Sequence, residues 1–168
     1  MYGMFQRGNK FKLNIDGSSI GNPGNAGFGG IIRDSFGDWH AGFYGSCGTA
    51  TSLQAELLAI LHGLNLSWDK GFRNIQCESD SKLALQLISE GRNSLHPYAS
   101  IIQKIQDFKL LHWDLHFNHT FREGNMCADE LAKTGSSLQC NLQVFNGCPP
   151  FITQLVLADR KGAQYIRH

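Results

Sequence analysis

Between Phe11 and Asp34 the chain reads FKLNIDGSSIGNPGNAGFGGIIRD, and this stretch limits the available folds more than any other. Phe11, Leu13 and Ile15 alternate with Lys12, Asn14 and Asp16, the period of a strand with one packed face. Asp16 is expected at the end of that strand. Gly17, Ser18, Ser19, Gly21, Asn22, Pro23 and Gly24 then predict a wide turn, and Gly27 to Ile32 a returning strand. An acid at such a junction is ordinarily one half of an Asp-Gly turn. The glycines do not make a dinucleotide-binding fingerprint: there is no G-x-G-x-x-G, and a strand follows where a helix would have to open.

A third strand is expected over about Trp39 to Tyr44, which with the first two makes one antiparallel side of a sheet. The period then changes. Leu53, Leu57, Ile60, Leu61, Leu64 and Trp68 recur at helical spacing, with Thr51 or Ser52 as N-cap and Gly71 just past the end. Glu56 falls on the margin of this helix's buried face rather than on its solvent side. A short strand, Asn74 to Ser79, runs into Glu78-Ser79-Asp80-Ser81, where Asp80 or Ser81 would cap a helix from Lys82 to Glu90 with Gly91 as stop. A further helix over about Pro97 to Phe108, a strand around Trp113, Leu115 and Phe117, and a helix over about Asn125 to Ser136 follow. Asp129 lies near the start of the last of these, where the helix dipole alone would favour it.

At 168 residues, with 42% hydrophobic and 17% charged, the chain fits one globular domain with a short appendage. Residues 1–10 read as an extension and residues 11–137 as the domain. Residues 138–168 read as an appendage whose short helix begins at Cys148-Pro149-Pro150 and stops at Gly162. A formal net charge of +1 leaves no basic footprint from which nucleic-acid binding could be argued. The first residues, MYGMFQRGNK, lack the apolar centre of a signal peptide, and Leu57 to Leu61 is far too short to span a bilayer, so a soluble, intracellular protein without membrane contact is expected. Five cysteines without C-x-x-C spacing point to reduced thiols. His112 and His116 share a strand face that His119 does not, so the three do not converge on a metal.

The acids are different. Asp16, Glu56, Asp80 and Asp129 come from a strand end, a helix margin, a second strand end and a first helical turn. If the two strands are neighbours, all four meet at one edge of the sheet. Clustered carboxylates repel one another and are tolerated mainly where divalent cations neutralise them. Two Mg²⁺ ions about 4 Å apart, sharing such ligands, can activate a water and stabilise the leaving oxygen of a phosphodiester.

In order along the chain stand a strand with Asp16-Gly17-Ser18, the helical Ala55-Glu56-Leu57-Leu58-Ala59, the strand-end Glu78-Ser79-Asp80-Ser81, and Arg122-Glu123-Gly124-Asn125 leading to Ala128-Asp129-Glu130-Leu131-Ala132. Over about residues 11–137 this resembles the type 1 RNase H family, and most of all its plant, retroelement-derived, reverse-transcriptase-like branch. Pro149-Pro150-Phe151 and Leu157-Ala158-Asp159 resemble an extension found in that branch. The resemblance implies an α/β fold with a mixed five-stranded sheet, three antiparallel strands then two parallel, flanked by helices. It implies endonucleolytic cleavage of RNA in RNA–DNA hybrids by a two-metal-ion mechanism, with Asp16, Glu56, Asp80 and Asp129 as ligands of Mg²⁺ or of Mn²⁺ as its substitute. It further implies minor-groove and 2′-hydroxyl contact at Asn22, backbone approach to the RNA strand at Gly17 and Ser18, and a DNA phosphate near Thr51. A monomer is expected, with an origin inside a reverse transcriptase polyprotein.

Three departures stand out. No room exists between Gly91 and His112 for the basic protrusion with which some members grip the hybrid. The loop before Asp129 is also short. His119 precedes Asp129 by the same count as a loop histidine of longer members, but the Arg-Glu-x-Asn pattern aligns Arg122 with that role and leaves His119 at the strand end. Ser52 also replaces an asparagine common in the family. The alternative these departures raise is a catalytically weak or inactive nucleic-acid-binding or protein-interaction module.

Overall fold

The computed structural model describes residues 9–91 and 95–158. Strands β1 (Phe11–Gly21), β2 (Gly24–Asp34) and β3 (Trp39–Ala50) form an antiparallel meander. β4 (Asn74–Ser79) runs parallel to β1, and β5 (Asp114–His119) parallel to β4. Helices α1 (Ser52–Asp69), α2 (Lys82–Glu90), α3 (Ala99–Lys109) and α4 (Met126–Leu138) complete the fold. The three antiparallel and two parallel strands are those expected from the sequence. A sixth, β6 (Gln143–Phe145), adds antiparallel to β3 and gives the order β5-β4-β1-β2-β3-β6. It has only three residues and no alternation to betray it. It pairs because β3 offers an open edge, with the Ser46 amide already bonded to the Cys140 carbonyl at 2.9 Å and the Tyr44 and Phe145 rings 5.2 Å apart.

The meander differs from expectation at its turn. β1 does not end at Asp16: Ser18, Ser19, Ile20 and Gly21 go on pairing with Gly27, Ala26, Asn25 and Gly24, and the reversal shrinks to Asn22-Pro23. Asp16 is therefore a mid-strand residue. Small residues read as a turn act as strand because the next strand supplies equally small partners, and one helix comes down on them. A Cβ at Gly29 would lie 2.6 Å from Leu131 Cβ and 2.7 Å from the Ala132 nitrogen, and one at Gly27 would meet the α4 backbone at Ser136 and Ala132. α4 thus rests on the bare backbone of β2, opposite Asp16 in the register.

Two apolar layers hold the sheet. Leu13, Ile15, Leu57, Ile60, Leu64, Ile75, Ile88 and Ile105 form the larger, beneath α1, α2 and α3; full burial of each such side chain contributes about 1.5–3 kcal/mol. On the α4 side Ile31, Tyr44, Cys127 and Leu131 pack with Ile152 and Val156. Those last two come from a 3₁₀ turn, Pro150–Ile152, and the helical residues 153–158 that follow it. The expected helix stop at Gly162 lies outside the described residues, as do residues 1–8 of the expected N-terminal extension. Thr51 caps α1 and Ser81 caps α2, each accepting a backbone N–H at 3.1 Å, and Gly91 ends α2 at a φ of 62°. All five cysteines are free thiols.

Candidate active site

Parallel pairing of β1 with β4 sets Asn14 beside Glu78, so two residues further along come Asp16 and, just past the end of β4, Asp80. α1 begins just above them. Gly17 lets its first turn sit directly on β1, and the Gly17 N–H donates to Asp16 Oδ1 and to Glu56 Oε1, both at 2.9 Å. The Ser79 hydroxyl donates to Glu56 Oε2 at 3.2 Å and accepts the Ser81 N–H at 3.0 Å, tying the end of β4 to the same carboxylate. Each of Asp16, Glu56 and Asp80 places a carboxylate oxygen within 4.8 Å of the other two, the one group among the described residues with metal-ligand geometry. Asp16 and Glu56 are each only 5% exposed. Glu56 is therefore deeper than its marginal helical position implies, because β1 and Ser79 cover what the helix face leaves open.

Burial, a hydrogen bond with Glu56 and the charges of Glu56, Asp80 and Asp129 together push the Asp16 carboxyl above the usual range. Burial also raises Glu56, against the hydrogen bonds it accepts from Asp16, Gly17 and Ser79. Asp80 is raised by burial and by Asp129, with Arg122 and His119 opposing. Three neighbouring acids are thus held where ionisation is costly unless cationic charge arrives.

Asp129 stands apart from the triad. It lines the same cavity, about 610 Å³ in volume, with Asp16, Gly17, Ser18, Glu56, Asp80 and Arg122, but its Oδ2 is 3.0 Å from Lys133 Nζ one helical turn on. Lys133 was not legible as a site residue: in sequence it is one more lysine on a polar helix face. Asn125, the last residue before α4, is 1% exposed and donates from Nδ2 to the Ile15 carbonyl at 2.8 Å, clamping α4 to β1 next to Asp16. Its Oδ1 is buried without a hydrogen-bond partner among the described residues.

Arg122 opens a 3₁₀ turn before α4 and lines the cavity. His119 is the last residue of β5 and does not line it; its ring packs edge-on against Phe121 at 5.4 Å. Asn22 and Thr51 lie beyond the cavity, at the start of α1. Asn22 Oδ1 accepts the Ser52 N–H at 3.0 Å, and Thr51 Oγ1 is 2.6 Å from the Tyr98 hydroxyl. Among the described residues His112 and His116 belong to no metal-binding group. A second concavity, about 850 Å³ between α2 and α3, holds no acid cluster.

The oxygen-only donor set suits a hard cation such as Mg²⁺ or Mn²⁺ better than zinc. No helix of the described residues is long and apolar enough to cross a membrane.

The chain is 33% identical over 152 residues to a provisionally named ribonuclease H protein of Arabidopsis thaliana, a match covering 90% of this chain and 24% of the relative. The chain therefore spans about a quarter of that relative's length. Among solved structures, RNase H1 of the halophilic archaeon Halobacterium salinarum superposes with a TM-score of 0.71 at 27% identity, covering 76% of this chain and 98% of that one. LC11-RNase H1, solved in complex with an RNA/DNA hybrid, gives 0.69 at 26% identity, covering 76% and 97%. The family model described as reverse transcriptase-like matches residues 14–135, a span that takes in the triad, Arg122 and Asp129 together, and the chain belongs to that family of RNase H domains.

Proposed function

We propose that the chain is a divalent-cation-dependent endoribonuclease that hydrolyses the RNA strand of RNA–DNA hybrids by a two-metal-ion mechanism. The observation that carries this reading is the convergence of Asp16, Glu56 and Asp80 within 4.8 Å at the floor of an open cavity whose wall carries Asp129. Four carboxyl groups there face two cationic side chains, a deficit of positive charge that suits divalent ions. Asp16, Glu56, Asp80 and Asp129 would hold Mg²⁺ or Mn²⁺, which supplies Lewis-acid activation of a water and stabilisation of the leaving oxygen.

The chain's own residues do the rest. Gly17 and Ser79 fix the Glu56 carboxylate so that it costs no reorganisation during reaction. Arg122, a permanent cation, neutralises charge on the scissile or departing phosphate. Gly17 and Ser18 approach the RNA strand from the cavity wall. Asn22 anchors its Oδ1 on the Ser52 N–H and makes no other hydrogen bond among the described residues, so its Nδ2 donors are available to a 2′-hydroxyl. Thr51, at the α1 N-terminus, meets a phosphate of the DNA strand. Residues 11–137 form the catalytic unit, and residues 138–168 an appendage that lends it β6. The chain acts as a monomer on the hybrid and descends from a reverse transcriptase polyprotein.

The test is cleavage of a labelled RNA–DNA hybrid, with duplex RNA and duplex DNA as controls. Asp16→Asn and EDTA should each reduce cleavage at least about a hundredfold, since losing one ligand removes several kcal/mol of transition-state stabilisation. Hybrid cleavage that survives both treatments refutes the reading.

A further inference from the structure

The acids of the cavity are divided. Among the described residues Asp16, Glu56 and Asp80 face one another with no lysine bonded to them, whereas Asp129 is held at 3.0 Å by Lys133 and takes no part in the close triad. The Lys133 side chain is about half exposed while that of Asp129 is mostly covered, so the lysine can leave for solvent and the aspartate cannot. Both line the cavity. Because α4 rests on Gly27 and Gly29 and is clamped by Asn125, the Asp129 backbone is fixed relative to the triad. What remains free to change is the partner of its carboxylate.

We propose that Lys133 is a positioning residue that occupies Asp129 as an internal counter-cation and competes with a divalent cation for it. The inference rests on the metal-site reading above and deepens it. A resident ammonium does two things to an arriving cation: it blocks one carboxylate oxygen, and it repels a like charge across a few ångströms. Once displaced, Lys133 stays at the rim of the cavity beside Ser136 and Ser137, where its charge faces the phosphates of a bound strand. Exposure screens the pair, so Lys133 tunes affinity rather than abolishing it.

Calorimetric titration of Mg²⁺ into the full chain without nucleic acid tests this directly. Lys133→Met should bind Mg²⁺ roughly three- to tenfold more tightly than the parent, and Lys133→Arg within about twofold of it. In an Asp129→Asn background the effect of Lys133→Met should fall below about twofold, because the lysine acts through that carboxylate. Unchanged or weaker Mg²⁺ binding by Lys133→Met overturns the proposal, as does a gain that persists undiminished with Asp129→Asn. Asp16→Asn separates the two readings. If it loses Mg²⁺ binding while Lys133→Met matches the parent, only the role of Lys133 fails. If it binds Mg²⁺ as the parent does, the metal site itself fails and the proposal with it.

Discussion

Replacing Gly17 with alanine tests how the site is built more sharply than removing an acid does. A Cβ at this position would lie 2.6 Å from the Ala55 carbonyl carbon, 2.8 Å from Ala55 Cβ and closer still to the Glu56 amide nitrogen. The obstacles are mostly helix backbone, so α1 must move away from β1 as a body. Overpacking of this kind costs about 1–3 kcal/mol, and bending the Gly17 N–H bonds to the Asp16 and Glu56 carboxylates adds to it. We expect a total of about 2–4 kcal/mol, which for a chain of this size lowers the melting temperature by roughly 5–12 °C. The same displacement pulls Glu56 from Asp16, and an error near 1 Å in catalytic geometry costs about a hundredfold in rate. Thermal unfolding and hybrid cleavage, both measured well below the variant's own transition, check the two expectations. Gly147→Ala is the control: nothing lies within 4 Å of its Cβ and its φ is not positive, so it should melt within about 2 °C of the parent. If Gly17→Ala also melts within 2 °C but raises KM for the hybrid, the glycine serves only to admit the RNA strand, and the packing argument is refuted.

Two further outcomes follow from the electrostatics. In EDTA, Asp16, Glu56 and Asp80 have folded-state pKa values above their unfolded values near 4, so the folded chain holds more protons than the unfolded one at intermediate pH. Their contribution is fully present below about pH 4 and is lost as pH rises; melting should fall by roughly 3–6 °C between pH 5.5 and 8 without cations, and saturating Mg²⁺ should shrink that difference, as a calorimetric scan can show. Arg122→Ala should slow hybrid cleavage roughly ten- to a hundredfold, with partial recovery in Arg122→Lys and a smaller loss in His119→Ala, because Arg122 lines the cavity and His119 does not. The pH–rate profile should then show no inflection near 6–7 from an essential histidine, and a more damaging His119→Ala would reverse the assignment.

Much of the architecture was legible because each element announces itself locally. Leu57, Ile60 and Leu64 mark one helix face, and Leu13 and Ile15 the strand beneath it. The acids were legible for a related reason. Asp16, Glu56 and Asp80 each interrupt or close an apolar pattern, and a carboxylate on the margin of a packed face calls for a purpose. Their convergence needed one more fact, the parallel pairing of β1 with β4. Four motifs in fixed order supplied it through the family likeness, not through any pattern of period two or 3.6.

What stayed hidden depends on contacts between elements distant in sequence. Gly27 and Gly29 look like weak strand residues, and nothing nearby says that α4, about a hundred residues on, will lie on them. Gly17 looks like the start of a turn because its other property, the absence of a Cβ against the α1 backbone, has no local signature. The same holds for β6, whose three residues are strand only because β3 has a free edge. Lys133 is the most instructive case. Helical spacing alone places it one turn beyond Asp129, yet an Asp–Lys pair at that interval ordinarily marks a solvated face worth a few tenths of a kcal/mol. It matters here because β2 lacks side chains where α4 lands, which brings that turn of the helix to the rim of the acidic cavity. The glycines of one strand thus decide whether a lysine on a distant helix sits on an open surface or beside the acids of the cavity.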